Sequence, residues 1–525
     1  MKKKAGGEKI SFYDTTLRDG AQTEGISLSL ADKIEIARKL DHFGMDYIEG
    51  GWPGSNPKDI EFFKEMARNP LKHSKIVAFG STRRAHIKAE QDPNLAAILG
   101  ARTKAVTIFG KSWDLHVTDV FKTSLKENLA MIRDSVAYLK SKKLEVIYDA
   151  EHFFDGFKSS RDYALSTIRE AAKAGANAIV LCDTNVGSLP FEVKQAVAAA
   201  AAAVRIPLGI HCHNDMNLAV ANSLVAVEQG CAQVQGTING YGERCGNTDL
   251  TSVIAVLEYK MKKTFASRIK LNELTKVSHY VAEVCNMPLQ FNQPFVGMSA
   301  FAHKAGVHVD AMVKNAKTYE SLDPALVGNQ RKFLVSELSG KTNILAKAKE
   351  FNVDLSKESP EMRNILLKIR ELENEGYQFE AAEASFELLV KKLTGKYEPY
   401  FDHLGFRVMD TKEENEGVVS EASVKVKVKG EVEHTAASGD GPVNALDNAL
   451  RKALKRFYPV IANIHLTDYK VRVVNSQAGT AAKVRVFIQF QDDKKSWQTV
   501  GVSENIIEAS WQALVDAVEY KLHKG

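Results

Sequence analysis

The chain has 525 residues, 44% of them hydrophobic and 26% charged, and a net charge of +5; it is too long for one ordinary core, so two or three domains are expected. So small a charge gives no reason to expect a nucleic-acid partner, and no run of about 18 apolar residues is present that could span a bilayer. The basic start Met1-Lys2-Lys3-Lys4 lacks a following apolar stretch and reads as a solvated tail, while five cysteines without C-x-x-C spacing point to a reducing, cytoplasmic setting without disulfides.

From residue 8 to about 265, short apolar runs alternate with longer helical stretches, the sign of repeated βα units. The runs are Ile10–Tyr13, Tyr47–Gly50, Ile76–Phe79, Ala105–Phe109, Leu144–Tyr148, Ala178–Cys182, Leu208–His211 and Gln233–Gly236. Helices between them include Leu30–Phe43, Leu125–Ser141 and Phe191–Val204. Eight strands in roughly 250 residues is the count and size of a (β/α)8 TIM barrel. A doubly wound sheet competes, but no G-x-G-x-x-G follows the first strand.

The chain therefore divides into a barrel domain over 8–270, a mainly helical region over 271–395 and a C-terminal α+β domain over 418–525. The helical region holds a His-rich turn segment, Ser299 to Tyr319, and a charged stretch, Ser359 to Leu393. The mixed segment Lys396–Glu416 reads as a connection. Beyond it the period falls to two from Ala422 to Lys429, with Lys425, Lys427 and Lys429 on a wet strand face. A helix over Val443–Phe457 follows, then strands near Tyr469–Val474 and Lys483–Gln489, a turn at Gln491–Lys495 and a helix from Glu504 to Leu522. This looks like a strand-and-helix module occurring twice.

The chemistry concentrates at strand ends. His211 and His213, in H-C-H-N-D, close the seventh apolar run, and side chains two apart on a strand share a face. A bare H-x-H is more often a pair of unrelated loop histidines. A carboxylate from the stretch Asp14 to Gly20, after the first run, would turn the pair into two imidazoles and one carboxylate with open positions, as a catalytic metal requires.

The motifs T-L-R-D-G, H-C-H-N-D, G-E-R-C-G-N and A-F-A-H-K-A-G-V-H-V-D, in this order, resemble the acetyl-CoA-dependent Claisen-condensing enzymes of the isopropylmalate, homocitrate and citramalate synthase family. The resemblance covers nearly the whole chain, and D-G-P-V-N-A-L-D-N-A-L-R resembles the regulatory domain of that family. Gly51–Asp59 and Tyr377–Leu389 resemble the citramalate synthase group; isopropylmalate synthases usually show F-P-A-S-like sequence at the first place.

The resemblance implies condensation of acetyl-CoA with pyruvate to (R)-citramalate on the isoleucine route. The alternative is 2-oxoisovalerate as acceptor, giving isopropylmalate. A lyase sharing the barrel is disfavoured by the C-terminal domain, and a non-catalytic amino-acid-binding module by the polar strand ends. Asp19, His211 and His213 become the expected ligands of a divalent metal (Mn, Zn, Mg or Co), with Asn247 beside it orienting a water. Arg18 is expected at the keto oxygen, where a permanent cation would stabilise the developing alkoxide, and Thr184 at the acceptor carboxylate. Tyr148 is expected with Phe79 and Phe109 as bulk against the acceptor. Glu151, His308 and Tyr319 match family catalytic residues; whether Glu151 or His308 removes the methyl proton stays open, with His303 a rival to His308. Glu243 and Arg244 read as charges pinning a rim loop. The family's threonine at the Cys245 position argues against a nucleophilic cysteine. Tyr241 departs from the small polar residue of many isopropylmalate synthases, and Ser336–Gly340 lacks the histidine that often precedes S-G.

The resemblance also implies a homodimer whose C-terminal domain binds an amino-acid effector, with isoleucine expected. Glycine-containing turns, Gly439-Asp440-Gly441 and Gly501-Val502-Ser503, precede its two helices. Open helix N-termini there would suit a carboxylate.

Overall fold

The computed structural model describes residues 9–335, 340–412, 417–493 and 495–525, with only the backbone of 476–478. It falls into two compact units. The first runs to Phe301 and includes Leu322–Gln330; the second comprises Ala302–Ser321 and Arg331–Gly525.

The first unit is a closed barrel of eight parallel strands paired in sequence order, β8 returning to β1. The strands are β1 (Ser11–Asp14), β2 (Tyr47–Gly51), β3 (Lys75–Ser81), β4 (Ala105–Lys111), β5 (Glu145–Glu151), β6 (Ala178–Asp183), β7 (Leu208–Cys212) and β8 (Gln233–Gly236). Each expected run overlaps one of them. Around them lie α1 (Leu30–Phe43), α2 (Pro57–Arg68), α3 (Pro93–Gly100), α4 (Leu125–Ser141), α5 (Phe153–Ser159), α6 (Arg161–Lys173), α7 (Pro190–Ala203), α8 (Ala219–Glu228) and α9 (Leu250–Tyr259), with α10 (Leu274–Val284) after the barrel.

Local chemistry sets the helix ends. Ser29 and Asp32 form a reciprocal capping box at the start of α1, an arrangement whose cap alone contributes ~1 kcal/mol. Gly44 ends α1 at φ +108°, and a Cβ there would lie 2.6 Å from the Arg268 carbonyl oxygen. The period of two sorts the strand residues. Tyr13, Val77, Ala105, Ile147, Val180 and Cys182 fill the barrel interior, while Phe12, Ala78, Val106, Tyr148, Leu181 and Ile210 belong to the larger core shared with the helices.

The second unit contains a short parallel pair, β9 (Ala302–His303) with β10 (Lys332–Phe333), and helices α11 (Gly306–Lys314), α12 (Lys341–Glu350), α13 (Pro360–Glu375) and α14 (Glu383–Leu393). Two three-stranded antiparallel sheets follow. One holds β11 (Asp402–Lys412), β12 (Val418–Val428) and β13 (Glu431–Gly439), then α15 (Pro442–Leu454). The other holds β14 (His465–Val473), β15 (Val484–Gln491) and β16 (Ser496–Ser503), then α16 (Ile506–Lys524). The module does occur twice. On β12, Val424, Val426 and Val428 are buried while Lys425 and Lys427 are exposed, as the alternation predicts.

Three points differ from the sequence reading. The segment taken as a connection contains β11, which pairs with β12 along nearly its whole length. Gly501 to Ser503 lie inside β16, where a Cβ on Gly501 would lie 2.0 Å from the Ala509 carbonyl oxygen; that glycine permits sheet–helix packing and makes no turn. The last helix starts at Ile506, and the Asn505 side chain already accepts the N–H groups of Ile507 and Glu508. Of these two C-terminal helices, α15, behind Gly441, carries no side-chain cap at its N-terminus. Among the described residues no helix is long and apolar enough to cross a membrane, and the five cysteines are free.

Candidate active site

The T-L-R-D-G segment leaves β1 as a tightly tied loop. Asp14 accepts the Thr16 N–H and hydroxyl, each at 2.9 Å; the Thr15 N–H donates to the Gly236 carbonyl at 2.8 Å; the Thr16 hydroxyl accepts the Ile238 N–H at 3.0 Å. These ties aim Arg18 and Asp19 at the strand ends. On the opposite side, H-C-H-N-D is held by the glycine-rich loop: the Thr248 N–H donates to Cys212 and the Asn214 N–H to Gly246, at 2.9 and 2.8 Å. Gly246 has φ +91°, and a Cβ there would lie 2.0 Å from the Gly240 carbonyl oxygen, so that close approach requires glycine.

Asp19, His211 and His213 are buried and converge, with one donor atom from each within 4.8 Å of the others. His211 Nε2 lies 3.4 Å from Asp19 Oδ2 and 3.4 Å from His213 Nε2. Burial lowers the His211 imidazole and takes His213 down to about 3, where His211 adds to the effect. Both rings are therefore neutral, with lone pairs to offer. Burial alone would raise the Asp19 carboxyl, but Arg18, then His211 and His213, hold it at about 2. Two neutral imidazoles and a charged carboxylate suit a divalent cation with positions left open. The Asn247 amide nitrogen donates to Asp19 Oδ2 at 2.7 Å, and its amide oxygen is buried without a partner.

Arg18 is held by Glu49 at 2.5 Å and lies 3.4 Å from Asp19. Glu49 also accepts from the Tyr13 hydroxyl inside the barrel at 2.5 Å, and the guanidinium lies 3.9 Å over the Phe79 ring. A cavity of about 210 Å³ joins Arg18, Asp19, His211 and His213 to Thr184 and Glu151, walled by Trp52, Phe79 and Phe109. Glu151, at the end of β5, pairs with Lys111 at the end of β4. Arg244 bonds Asp215 at 2.7 Å and the Thr184 carbonyl at 2.9 Å, so this charge ties the rim loop to the turn bearing Thr184. Cys245 is exposed.

Tyr148 is a correction. It is fully buried beside Val146 and Ala150 in the core between strands and helices, whereas Asp149 and Glu151, one and three residues further on, line the cavity. Period-two alternation turns Tyr148 away from any acceptor. His308, exposed on α11, stacks on Tyr319 with ring centroids 4.1 Å apart in the second unit. Its rival His303 is engaged by Glu320 at 3.1 Å, and Glu320 also holds Arg331. Residues 336–339, where the sequence departs from the family pattern, lie outside the described residues, as do Met1 to Lys4.

Two residues escaped the sequence reading. Gln235, fully buried on β8, places its amide oxygen 3.0 Å from His211 Nδ1 and donates to Asp149 at 3.1 Å. It fixes a proton on Nδ1 and leaves Nε2 free, the usual way a ligating histidine is oriented. Trp52, just beyond β2, forms one wall of the cavity. A glutamine in a fully buried strand was the signal for the first; the second gave none beyond its motif.

The model of the HMGL-like family matches residues 9–281, that of the homocitrate synthase post-HMGL domain-like family residues 295–377, and that of the LeuA allosteric (dimerisation) domain residues 380–522. The chain is 54% identical to the (R)-citramalate synthase of Geobacter sulfurreducens and 54% identical to that of Aquifex aeolicus, each match covering 98% of both chains. It is 31% identical to the 2-isopropylmalate synthase of Methanocaldococcus jannaschii, over 98% of this chain and 95% of that one.

Proposed function

Because the chain belongs to the (R)-citramalate synthase branch of the HMGL-like family, we propose that it joins the acetyl group of acetyl-CoA to pyruvate and releases (R)-citramalate and CoA. The observation that carries this reading is the convergence of Asp19, His211 and His213 beside Arg18 in one aromatic-walled cavity. A divalent metal held by those three residues would polarise the acceptor's keto group. Arg18, kept rigid by Glu49, faces the same oxygen and stabilises the negative charge that grows there. Thr184 orients the acceptor carboxylate, and Asn247 steadies Asp19.

A base removes a proton from the thioester methyl, whose carbon then attacks the keto carbon; the new alkoxide takes up a proton, and water cleaves the thioester to the acid and free CoA. Glu151 lies on the cavity wall, and it or His308 serves as that base. The catalytic roles of His308 and Tyr319 rest on the family resemblance. Phe79 and Phe109 line the cavity and supply the bulk that favours the small pyruvate methyl over branched chains in this reading. Measuring CoA thiol release with a panel of 2-oxo acids tests the reading: pyruvate is expected to give the highest kcat/KM, and a higher value for 2-oxoisovalerate would reassign the chain to isopropylmalate synthesis.

The barrel over 8–270 is the catalytic domain in this reading, 271–395 complements it, and the C-terminal region from about 418 dimerises and regulates a cytoplasmic enzyme. The match to a LeuA allosteric (dimerisation) domain supports that division. Isoleucine is the proposed effector. It should raise the melting temperature of the full chain and slow CoA release, and loss of both effects would remove isoleucine from that role.

A further inference from the structure

Trp52 is fixed at both ends. Its main-chain N–H donates to Asp59 Oδ2 at 2.9 Å, and the other oxygen of this buried carboxylate takes Lys33 Nζ at 2.5 Å. The carboxylate reaches that far only because residue 51 is glycine: Gly51 has φ +137°, and a Cβ there would lie 2.2 Å from Asp59 Oδ2. At the other end, indole Nε1–H donates to Asn94 Oδ1 at 2.8 Å, and the Asn94 amide donates to the Ser81 carbonyl at 2.7 Å. Asn94 lies in the first turn of α3, anchored where Asp92 accepts the N–H groups of Asn94 and Leu95. Glycines again make the room. A Cβ on Gly54 would lie 3.2 Å from Trp52 Nε1, and one on Gly80 would lie 2.9 Å from Asn94 Oδ1.

The indole so held meets Phe79 and Phe109 edge to face, at 5.8 and 5.6 Å, while those two rings stack at 5.5 Å. It also borders two spaces. On one side is the cavity of about 210 Å³ that holds the metal-site residues. On the other is a cavity of about 300 Å³ lined by Ile26, Leu28, Lys33 and Lys58. Arg18, Gln22 and Trp52 line both. Swinging the indole out of place would join them.

We propose that Trp52 is the partition that limits the acceptor's alkyl group, and that Asn94 is a positioning residue that keeps the partition closed by holding the indole N–H. The proposal rests on the reading of the chain as a pyruvate-using synthase. With the indole locked, a longer or branched 2-oxo acid meets a rigid wall; with it released, the same chain finds the neighbouring space. Carbon-by-carbon discrimination in an apolar pocket is typically ~10- to 200-fold, so losing the wall should show clearly.

The test uses the full-length, metal-loaded enzyme and the ratio of kcat/KM for pyruvate to that for 2-oxoisovalerate. Trp52→Leu, Trp52→Phe, Asn94→Leu and the Trp52→Phe/Asn94→Leu double variant are compared, with melting temperatures to verify folding. Trp52→Leu and Asn94→Leu should each lower the ratio ~10-fold or more, through the 2-oxo acid and with the KM for acetyl-CoA unchanged. Once the N–H is gone in Trp52→Phe, adding Asn94→Leu should change the ratio no further, because coupled residues are non-additive. An unchanged ratio in Trp52→Leu overturns the partition. Additive effects in the double variant overturn the role of Asn94. A parent enzyme that prefers 2-oxoisovalerate overturns the underlying functional reading, and that outcome is read before any variant is made.

Discussion

Replacing Gln235 by leucine isolates the support of one metal ligand from the ligand itself. Leucine nearly matches glutamine in bulk, so packing inside the barrel survives while both hydrogen bonds, to His211 at 3.0 Å and to Asp149 at 3.1 Å, are lost. Without its partner, the His211 ring is free to rotate and to carry its proton on either nitrogen. Loss of such a support typically costs ~10- to 100-fold in metal affinity, equivalent to about 1.4–2.8 kcal/mol. The second effect is on folding. Asp149 is pushed well up by burial and then by Glu49; leaving it and the His211 N–H unpaired should destabilise the apoprotein by about 1–3 kcal/mol. Calorimetric titration of chelator-stripped protein with Mn or Zn measures the first effect, and urea unfolding in chelator the second. Unchanged metal affinity in a folded Gln235→Leu variant would refute the assignment of Gln235 as the group that orients His211.

Two further outcomes are expected. His213→Ala should abolish CoA release while leaving the melting temperature of the apoprotein close to the parent's, and chelation of the parent should do the same reversibly; full activity in metal-free parent enzyme would contradict the site. Glu519, buried on α16, is raised to about 7 by burial, with the Tyr400 N–H holding it down only in part. The folded state therefore keeps a proton that the unfolded chain releases, so this contribution is fully present below the ordinary carboxyl range and is lost as pH rises through about 7. It amounts to about 3 kcal/mol, and Glu519→Gln should flatten that slope in chemical denaturation across the same range; an unaltered slope would contradict the assignment.

The barrel was legible because each of its strands is a buried apolar run, and burial on both faces leaves a signal that hydrophobicity alone detects. β11 and β14 are exposed along most of their length, so neither run nor alternation marks them fully. The first was missed and the second placed only in part. The metal-site trio could be inferred because it sits in contiguous motifs. Tyr148 was misplaced for the reason the strands were easy: an all-apolar run does not say which residues face inward, and here only the acidic neighbours Asp149 and Glu151 give the phase. The clamp on Trp52 draws on residues 59 and 94, brought together by two different helices, and no reading along the chain joins them.

Helix α14 serves two cores at once. Ala384 belongs to the one built on the paired sheets and their helices, while Phe386 and Val390 belong to the one that also holds Ile344, Met362, Ile365 and Phe487; Ser385, between them, accepts the Val500 N–H at 3.1 Å. A single helix set into two apolar cores ties the helical module to the C-terminal sheets, and the two are expected to melt together. Trimming the chain just past Lys396 would strip α14 of one of these cores and leave a sticky fragment, so the C-terminal region is better interrogated by point substitution than by truncation.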